Sequence, residues 1–430
     1  MERTTLTRPG YRHRLIDELI PQYLAAFGAI LIEGPKYCGK TWTCLHHSQS
    51  VYYVSDPDNN YANRARARLD PSGILIGEKP RLIDEWQEAP GIWDAIRFSV
   101  DQGRDKGGFL ITGSSTACGT DTTHSGTGRI ARLSMRPMSL FESGDSTGTV
   151  SLADLINQKG ITLQPSRLNL GSLARLLVRG GWPESIDLSE AAAALIPKQY
   201  LLSLAQKDIS RLDGIKRDSA KATALLSSIA RNTAQIVSNT TIEKDIALNS
   251  DGERLSPQTI ADYLAKLKEL FVIEEIPGWA PALRSPMRLR LTPKRYFVDP
   301  SLAVAGLKAD TTTLLQDMKT FGFLFENLVI RDLLIYTSRV GAELFYYLDD
   351  SQLETDVILS LGGERWGAIE IKLGSDQEDE AAKKLLRLQK KLVDRGTHTP
   401  LFLAVITGIG STAHKRGDGV YVVPVDCMKP

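Results

Sequence analysis

The chain has 430 residues, of which 42% are apolar and 24% charged, and its 52 basic and 51 acidic residues give a formal net charge of +1. This size predicts two to four folded domains, and the charge balance argues against the strongly basic surface of a dedicated nucleic-acid coat. The four cysteines are scattered without CxxC spacing, which argues against a zinc site or a disulfide framework. Neither a secretory signal nor a run of about 18 apolar residues is found. We therefore expect a cytoplasmic protein with no membrane partner.

Residues 1–145 predict an α/β domain with a parallel sheet. Five runs in this region are nearly continuous in apolar side chains, as in strands of a parallel sheet that is covered on both faces. They are residues 29–34, 51–55, 81–85, 108–113 and 131–137. The stretches between the runs are long enough for the crossover helices that parallel strands require.

A phosphate-binding motif joins the first predicted strand to a predicted helix. Residues 34–41, GPKYCGKT, match G-x-x-x-x-G-K-[ST] at every defined position. Glycines in such a loop let backbone N–H groups point at the β-phosphate, while Lys40 reaches the β- and γ-phosphates and the Thr41 hydroxyl ligates Mg²⁺. The candidate nucleotide-binding residues are Gly34, Pro35, Lys36, Tyr37, Cys38, Gly39, Lys40, Thr41 and Trp42.

Polar side chains are found at the ends of two further predicted strands. Asp84 and Glu85 end the run 81–85, and Ser114 follows the run 108–113. We predict that Asp84 holds Mg²⁺ through water and that Glu85 polarises the attacking water. Because ligands of open α/β sheets bind beyond the carboxyl ends of the strands, Ser114 is predicted to sense the γ-phosphate or to orient the water. A plain strand-to-loop turn explains Ser114 nearly as well.

The middle of the chain is predicted to be largely helical. Residues 146–218 form a lid or linker, and residues 219–310 have the order helix, helix, helix, strand, strand of a winged-helix domain. The third helix of such a domain can enter the DNA major groove, where Gln258, Thr259 and Lys266 are candidate contacts. The predicted wing adds basic residues that suit phosphate oxygens: Arg284, Arg288, Arg290, Lys294 and Arg295. A packing module that couples the first domain to the tail is the alternative to DNA contact.

Residues 311–430 predict a second α/β domain with a candidate metal site. Asp356 lies on one predicted strand, and Glu370 and Lys372 lie on the next, across a short hairpin. Period-2 alternation puts Glu370 and Lys372 on one face, so we predict that Asp356 and Glu370 share a Mg²⁺. Lys372 is then predicted to position or activate water, and Glu326 of the preceding helix to add an oxygen ligand. A hairpin salt bridge explains Glu370 and Lys372 equally well.

The chain resembles the prokaryotic AAA-type ATPases that carry a C-terminal domain of unknown function. Four segments carry the resemblance in order: GPKYCGKT, LIDEWQ, FLITGSS and GRIARLSMRPMSLFE. Later segments extend it over nearly the whole chain: GGWPE, YLLSLAQKDI, RYFVDPSLA, LFENLVIRDLL and ETDV…IEIKLG. The resemblance implies an AAA-type ATPase, a winged helix and a PD-(D/E)xK nuclease-like domain, in this order. The phosphate-binding motif alone does not distinguish ATP from GTP. It is the resemblance that implies ATP.

The resemblance further suggests an arginine finger. Arg129 is predicted to act on the γ-phosphate bound by a neighbouring subunit, with Arg132 as the second candidate. A finger that acts in trans requires an oligomer, so we expect a homo-oligomer. A solvated arginine or a salt bridge is the alternative interpretation of Arg129.

Three functions are compatible with these patterns. The first is a Mg²⁺-dependent ATP hydrolase coupled to a winged-helix and nuclease-like tail that acts on DNA. The second is a regulatory ATP-dependent switch that binds protein partners and has a catalytically inert nuclease-like fold. The third is a metal-dependent nuclease in which ATP only sets the oligomeric state. We take the first as the leading prediction.

Overall fold

The structure is a computed structural model, and it describes residues 6–103, 106–114, 125–211, 218–249, 254–280 and 292–430. The chain divides into two compact units, one running up to Pro137 and the other comprising most of the chain from Met138 onward. Within the described ranges, no helix is long and apolar enough to cross a membrane. The predicted domain boundaries at residues 218 and 310 stay a prediction.

The first unit contains a parallel sheet, which confirms the predicted α/β fold. Its strands are β1 (Ala29–Glu33), β2 (Ser50–Tyr53), β3 (Arg81–Asp84), β4 (Phe109–Gly113) and β5 (Ile130–Ser134). All neighbouring strands pair in parallel, in the order β2-β3-β4-β1-β5. The described helices of this unit are α1 (Ile20–Ala26), α2 (Lys40–His46), α3 (Asp58–Leu69) and α4 (Gly91–Gly103).

Both faces of this sheet are buried. Along β1, Leu31 belongs to one apolar core with Trp93 and Ile96 of α4, and Ile32 belongs to another with Cys44 of α2. Successive side chains of a strand point to opposite faces, so one strand must supply apolar residues to both cores. This requirement explains why the five runs are nearly continuous in apolar residues.

The second unit is built around a mixed sheet. Its strands are β6 (Val150–Ser151), β7 (Gln164–Pro165), β8 (Ile273–Ile276), β9 (Lys294–Phe297), β10 (Glu343–Leu348), β11 (Glu354–Ser360), β12 (Trp366–Gly374), β13 (Leu403–Ile409), β14 (Thr412–Lys415), β15 (Tyr421–Pro424) and β16 (Met428–Lys429). Seven of them form one sheet in the order β10-β11-β12-β13-β15-β14-β7, while β6 pairs with β16 and β8 pairs with β9.

The described helices of the second unit surround these strands. They are α5 (Leu140–Ser143), α6 (Leu152–Ile156), α7 (Leu170–Arg179), α8 (Glu190–Ala193), α9 (Leu195–Ser203), α10 (Ile209–Arg211), α11 (Ser219–Arg231), α12 (Asn239–Asn249), α13 (Pro257–Glu269), α14 (Pro300–Gly306), α15 (Thr311–Gln316), α16 (Met318–Val340) and α17 (Glu378–Asp394). Among them, α16 and α17 belong to the tail, and both contact β12.

Helices α11, α12 and α13 precede the antiparallel pair β8–β9, in the predicted order of elements. Ser256 accepts a hydrogen bond from the Thr259 N–H at 3.2 Å, and Pro257 is the first residue of α13. A serine cap followed by proline is a typical helix start. Ile236 adds a bridge to Lys294 of β9. This order is the one expected of a winged helix, and that identity stays a prediction.

A buried ion network joins four segments of the second unit. Arg331 of α16 donates to Asp299 and to Asp332, each at 2.9 Å. Asp299 also accepts the Gly181 N–H at 2.9 Å, and Asp332 accepts the Leu140 N–H at 3.0 Å. The three charged residues are at most 2% exposed, so water screens their interaction little. The network therefore holds three segments against α16: the start of α5 at Leu140, the loop after α7 at Gly181 and the start of α14 at Asp299.

The end of the chain pairs with residues near position 150. Strand β16 runs parallel to β6, with Met428 opposite Val150. Ser146 Oγ donates to the Met428 carbonyl at 2.5 Å, and Ser151 Oγ donates to the Pro430 carbonyl at 2.6 Å. These bonds hold the segment that contains β6 within the second unit.

Breaking the buried ion network should strongly destabilise the second unit. We expect Arg331→Met to lower the free energy of unfolding by about 3–5 kcal/mol, because Asp299 and Asp332 would stay buried without their partner. Denaturant titration followed by circular dichroism measures the loss. Arg231→Met is the matched control, since Arg231 pairs with Asp245 at 2.7 Å in a partly exposed position. It should cost less than about 1 kcal/mol, and equal losses would contradict the burial argument.

Candidate functional site

The carboxyl ends of β1, β3 and β4 meet at one edge of the first sheet. Because β4 lies between β1 and β3, the residues at these three strand ends are neighbours. They are the loop 34–41, the pair Asp84 and Glu85, and Ser114. The structure thus brings together the residues that were predicted from the sequence to handle a nucleotide.

The loop 34–41 has a backbone that requires glycine at its first position. Gly34 has a φ of +154°, and a Cβ atom there would lie 2.0 Å from the Met135 carbonyl oxygen. The Lys40 ammonium donates to the carbonyls of Gly34 at 2.9 Å and of Pro35 at 2.7 Å. Lys40 therefore folds back over the loop that the motif assigns to phosphate binding.

A cluster of oxygen atoms links this loop to β3. Thr41 Oγ1 donates to Asp84 Oδ1 at 2.8 Å, and Thr112 Oγ1 donates to the same oxygen at 2.7 Å. Thr112 also accepts the Glu85 N–H at 3.0 Å. A hydroxyl and a carboxylate are the oxygen ligands that Mg²⁺ prefers, so the pair Thr41 and Asp84 fits this ion. The sequence prediction did not include Thr112, although a polar residue in the apolar run 108–113 was a usable signal.

Glu85 is held by two neighbouring side chains. Its backbone is left-handed, with a φ of +60°, which is uncommon outside glycine and frequent at functional sites. Its Oε2 accepts hydrogen bonds from the Gln87 side-chain amide and from Ser114 Oγ, the latter at 3.3 Å. The carboxylate therefore has one preferred orientation. Gln87 was missed in the sequence prediction, because only the folded turn brings it back to Glu85.

The remaining residues of the loop lie in different environments. Cys38 is fully buried in an apolar core, whereas Tyr37 and Trp42 are exposed. Arg14, which was not a sequence-based candidate, is 5% exposed and donates to the carbonyls of Cys38 at 2.7 Å and Arg136 at 2.6 Å. Arg14 therefore holds the loop from its buried side. The nucleotide contacts predicted for the loop residues stay predictions.

Arg129 lies at the amino-terminal ends of the strands, whereas the loop 34–41 lies at their carboxyl ends. It immediately precedes β5, whose amino-terminal end pairs with that of β1. A five-residue strand separates the two edges by roughly 16 Å. Arg129 pairs with Asp101 at 2.8 Å, and Arg132 pairs with Glu33 at 3.0 Å. A finger role for Arg129 would therefore need a phosphate bound by another subunit.

In the second unit, the structure brings Asp356, Glu370 and Lys372 together across the hairpin β11–β12. The Lys372 ammonium lies 3.0 Å from Glu370 Oε2 and 3.7 Å from Asp356 Oδ2. Lys384 of α17 lies 2.9 Å from the same Glu370 oxygen. The Ile371 N–H donates to Asp356 at 2.8 Å. Lysines from two elements therefore pair with Glu370, and the Lys384 contact was not predicted from the sequence.

Glu326 of α16 lies beside these residues and has other partners. Its Oε1 accepts a hydrogen bond from the Tyr296 hydroxyl at 2.7 Å and lies 3.3 Å from the Lys294 ammonium. Lys294 also lies 2.7 Å from Glu354, two residues before Asp356 on β11. We call the following side chains the carboxylate cluster: Glu326, Glu354, Asp356 and Glu370, with Lys294, Lys372 and Lys384.

Lys294 and Arg295 are not available to phosphate, which corrects the prediction that they form part of a basic wing. Lys294 is 3% and Arg295 8% exposed. Arg295 pairs with Glu275 at 3.0 Å, while Lys294 pairs within the carboxylate cluster. The other predicted wing contacts, Arg284, Arg288 and Arg290, lie outside the described residues.

Burial controls the protonation of the carboxylate cluster. Burial raises the pKa of Glu370 to about 7, and the charge of Asp356 acts in the same direction. Burial also raises the pKa of Glu326 to about 7, opposed by Lys294. Although burial opposes ionisation of Asp356, Lys372 and Lys294 hold the pKa of this carboxyl below its ordinary value. Burial therefore favours the protonated form of Glu326 and Glu370 more than it is favoured in an exposed glutamate.

The carboxylate cluster does not have the arrangement of a metal site. Among the described residues, no group of three or more His, Cys, Asp or Glu side chains could hold a metal ion. Lysine ammonium groups lie beside Glu326, Asp356 and Glu370 instead. The shared Mg²⁺ predicted for these three carboxylates does not fit this arrangement. The salt-bridge interpretation of Lys372 describes it better.

Three parts of the chain match known families. Residues 26–143 match a family described as an AAA domain. Together with the strand, loop and helix at positions 29–46, this match shows an AAA-type P-loop ATPase domain. Residues 170–313 and 321–428 match two domains of unknown function, DUF8612 and DUF4143.

Other proteins resemble the chain over most of its length at low sequence identity. An uncharacterised protein of Mycobacterium tuberculosis and one of Mycobacterium bovis are each 24% identical to this chain over 347 residues, covering 80% of this chain and 70% of the relative. A Walker-type ATPase of Pyrococcus abyssi is 12% identical, with a TM-score of 0.43, and the similarity covers 71% of this chain and 99% of that one. A RuvB structure of Thermotoga maritima is 13% identical, with a TM-score of 0.30, over 63% of this chain and 93% of that one.

Stability should depend on pH through Glu370. Because its pKa is raised from 4.5 to about 7 on folding, the folded state binds more protons than the unfolded chain between these pH values. The stability that Glu370 contributes is therefore full below about pH 4.5 and is lost as the pH rises to about 7. We expect Glu370→Gln, which cannot ionise, to gain stability relative to the wild type over this interval.

Melting temperatures of both proteins at about pH 5 and about pH 7.5 measure this effect. Glu343→Gln is the control, because Glu343 is an exposed acid on the same sheet. A difference between Glu370→Gln and the wild type that does not change with pH would disprove the raised pKa.

Proposed function

We propose that the protein binds ATP at the loop 34–41 and hydrolyses it with Mg²⁺ at the adjoining sheet edge. The observation that carries this proposal is the 2.8 Å contact of Thr41 with Asp84, with Glu85 held beside it. A hydroxyl from the phosphate-binding loop, a magnesium-binding acid and a base are the parts that P-loop hydrolysis needs. The AAA domain match favours ATP as the nucleotide.

The loop and β3 bind the substrate in this proposal. Lys40 leaves the carbonyls of its own loop and balances negative charge on the β- and γ-phosphates. Thr41 and Asp84 would hold Mg²⁺, which neutralises phosphate charge when it is bound. Arg14 keeps the loop in shape from behind through the Cys38 carbonyl.

Glu85 is the base of the proposed reaction. It takes a proton from the water that attacks the γ-phosphate. Gln87 and Ser114 are positioning residues, since their hydrogen bonds to Oε2 hold the carboxylate in one orientation. Its left-handed backbone turns the chain at the end of β3, where the attacking water would lie.

Arg129 is proposed to complete the site of a neighbouring subunit in a homo-oligomer. Arg129 lies at the amino-terminal ends of the strands, out of reach of the loop 34–41 of its own chain. This position supports action on a nucleotide that a neighbouring subunit binds. Its partner Asp101 is partly exposed, so exchanging this pair for a phosphate contact costs little.

For the tail we propose a nuclease-like fold that binds without cutting. Supporting this, Glu326, Asp356 and Glu370 each pair with a lysine. A hard divalent ion needs several carboxylate oxygens at once, and the ammonium groups compete for them. These contacts therefore agree better with a catalytically inert nuclease-like fold, as in the regulatory ATP-dependent switch, than with a tail that cuts DNA.

DNA is the partner we propose for the region α11–α13, and a protein partner is the second candidate. On α13, Gln258 is exposed, whereas Thr259 and Lys266 are half-buried. This is a modest surface for phosphate and base contacts. The burial of Lys294 and Arg295 removes two basic contacts and is the observation that favours a protein partner.

ATP turnover should depend on Lys40 and Glu85 in different ways. Lys40→Ala should abolish ATP binding, because the loop loses its cation. Glu85→Gln should bind ATP and release phosphate about a hundredfold more slowly, because the base is lost. Fluorescent nucleotide binding and phosphate release measure the two effects. Glu88→Gln, a neighbour that pairs with Arg64 at 3.1 Å, is the matched control and should be fully active. Wild-type turnover in Glu85→Gln would refute the assignment.

DNA should stimulate ATP turnover without being cut. We expect double-stranded DNA to raise the rate of phosphate release, and a gel with Mg²⁺ or Mn²⁺ to show intact DNA, because lysines pair with the tail carboxylates. A rate of phosphate release that does not change with DNA would favour the regulatory switch that binds protein partners. Cleavage that disappears in Asp356→Ala would show that the tail is a nuclease.

A further inference from the structure

One face of α17 packs on the tail sheet, and the opposite face is exposed. The packed residues share one apolar core with Trp366 of β12 and Val405 of β13, and each of them is at most 1% exposed. Because they recur every three or four residues, they form a single stripe along the helix. They are Ala381, Ala382, Leu385, Leu388 and Leu392. This stripe anchors α17 along its length and so fixes the position of its outer face.

The five basic side chains of α17 divide into two groups. Lys384 lies 2.9 Å from Glu370, and Lys391 lies 2.5 Å from Asp349, so both pair with carboxylates of the tail. The other three are exposed, and none of them forms an ion pair or a hydrogen bond with a described residue. We call these three side chains the basic row: Lys383, Arg387 and Lys390.

The acids of the exposed face lie at the two ends of the helix. Asp379, in the first turn, pairs with Arg416 at 2.7 Å, and the charge of Lys383 also acts on its carboxylate. Glu380 belongs to the same turn, where an acid suits the helix dipole, and Asp394 ends the helix. Within the basic row, like charges follow each other at spacings of four and three residues, which weakens a helix slightly. Helix stability therefore does not explain this row of cations.

The basic row has the length of a short run of phosphates. Lys383 and Lys390 are seven residues apart, which is about 10 Å along a helix. One strand of DNA carries a phosphate about every 3.4 Å of its axis, so about three phosphates span this distance. Arg387, between the two lysines, can donate two hydrogen bonds to one phosphate.

The exposed face of α17 has little apolar surface. This helix, which is described in full, exposes a single apolar side chain, Val393, in its last turn. A protein partner needs buried apolar or aromatic anchors, and a helix that lies on a membrane needs an apolar face that enters the lipid. The charge and the composition of the face therefore suit a polyanion better than either of these partners.

We propose that the basic row binds the phosphate backbone of nucleic acid, with double-stranded DNA as the partner. Lysine and arginine contacts to phosphates contribute affinity and orientation, and they do not read the base sequence. The inference rests on the proposed DNA partner and deepens it, because it assigns DNA contacts to the tail as well as to α13. The non-cutting tail thus acts as an anchor on the DNA backbone.

The test measures the affinity of the full-length protein for a labelled DNA duplex by fluorescence anisotropy at several salt concentrations. The basic-row variant combines Lys383→Gln, Arg387→Gln and Lys390→Gln. We expect its dissociation constant to be about a hundredfold higher at about 0.15 M salt, and the slope of log Kd against log salt to decrease by about 3. A second duplex of unrelated sequence should show the same loss, because phosphate contacts are independent of the bases.

The matched control loses the same net charge at other positions of the second unit. It replaces three exposed lysines by glutamine and should bind DNA with nearly the affinity of the wild type: Lys198, Lys308 and Lys319. The melting temperature of the basic-row variant should be no lower than that of the wild type, because repulsion along α17 is removed. If the basic-row variant does not fold, Arg387→Gln alone should decrease the salt slope by about 1.

Unchanged DNA affinity in the folded basic-row variant would overturn the inference, and so would a loss confined to one of the two duplexes. If Lys266→Gln then loses affinity instead, the contacts belong to α13, and the proposed DNA partner stands without the inference. A wild type that binds no DNA would overturn both and favour a protein partner. A basic-row variant that loses affinity, in a protein whose ATP turnover does not respond to DNA, supports the inference and contradicts only the stimulation by DNA.

Discussion

The second unit depends on the buried ion pairs that Arg331 forms with Asp299 and Asp332. An ion network at this depth is stable only if all its partners are in place, so the segments it joins must assemble together. Asp299 follows β9 by two residues, and Arg331 lies on the same helix as Glu326. The network therefore sets the spacing between β9 and α16. This spacing brings the ammonium of Lys294 to Glu326.

Local rules were enough to predict the first sheet and its loop from the sequence. Each strand supplies apolar residues to two cores, which leaves a pattern that needs no knowledge of partners. The loop 34–41 is contiguous, so its motif carries its own geometry. Asp84 and Glu85 could be predicted because they end a strand, and strand order then brings them to the loop.

The partners of these residues could not be predicted, because they depend on contacts between distant segments. Thr112 meets Asp84 only because β4 is inserted between β1 and β3. Lys384 meets Glu370 only when α17 packs on the tail sheet. The prediction and the structure differ most at Lys294, which was predicted to contact phosphate and is buried. A basic residue in a predicted wing is normally exposed, and here the surrounding carboxylates outweigh that preference and bury it.

The pairing of β6 with β16 has a consequence for how the chain folds as it is made. Ser146 and Ser151 bond to residues 282 and 279 positions further along. Strand β6 can therefore pair with β16 only after Met428 and Lys429 have been synthesised. The last strand of the first sheet ends at Ser134, so all five of its strands precede β6 in the chain. The first sheet and its phosphate-binding loop can thus form in the nascent chain while β6 still lacks β16.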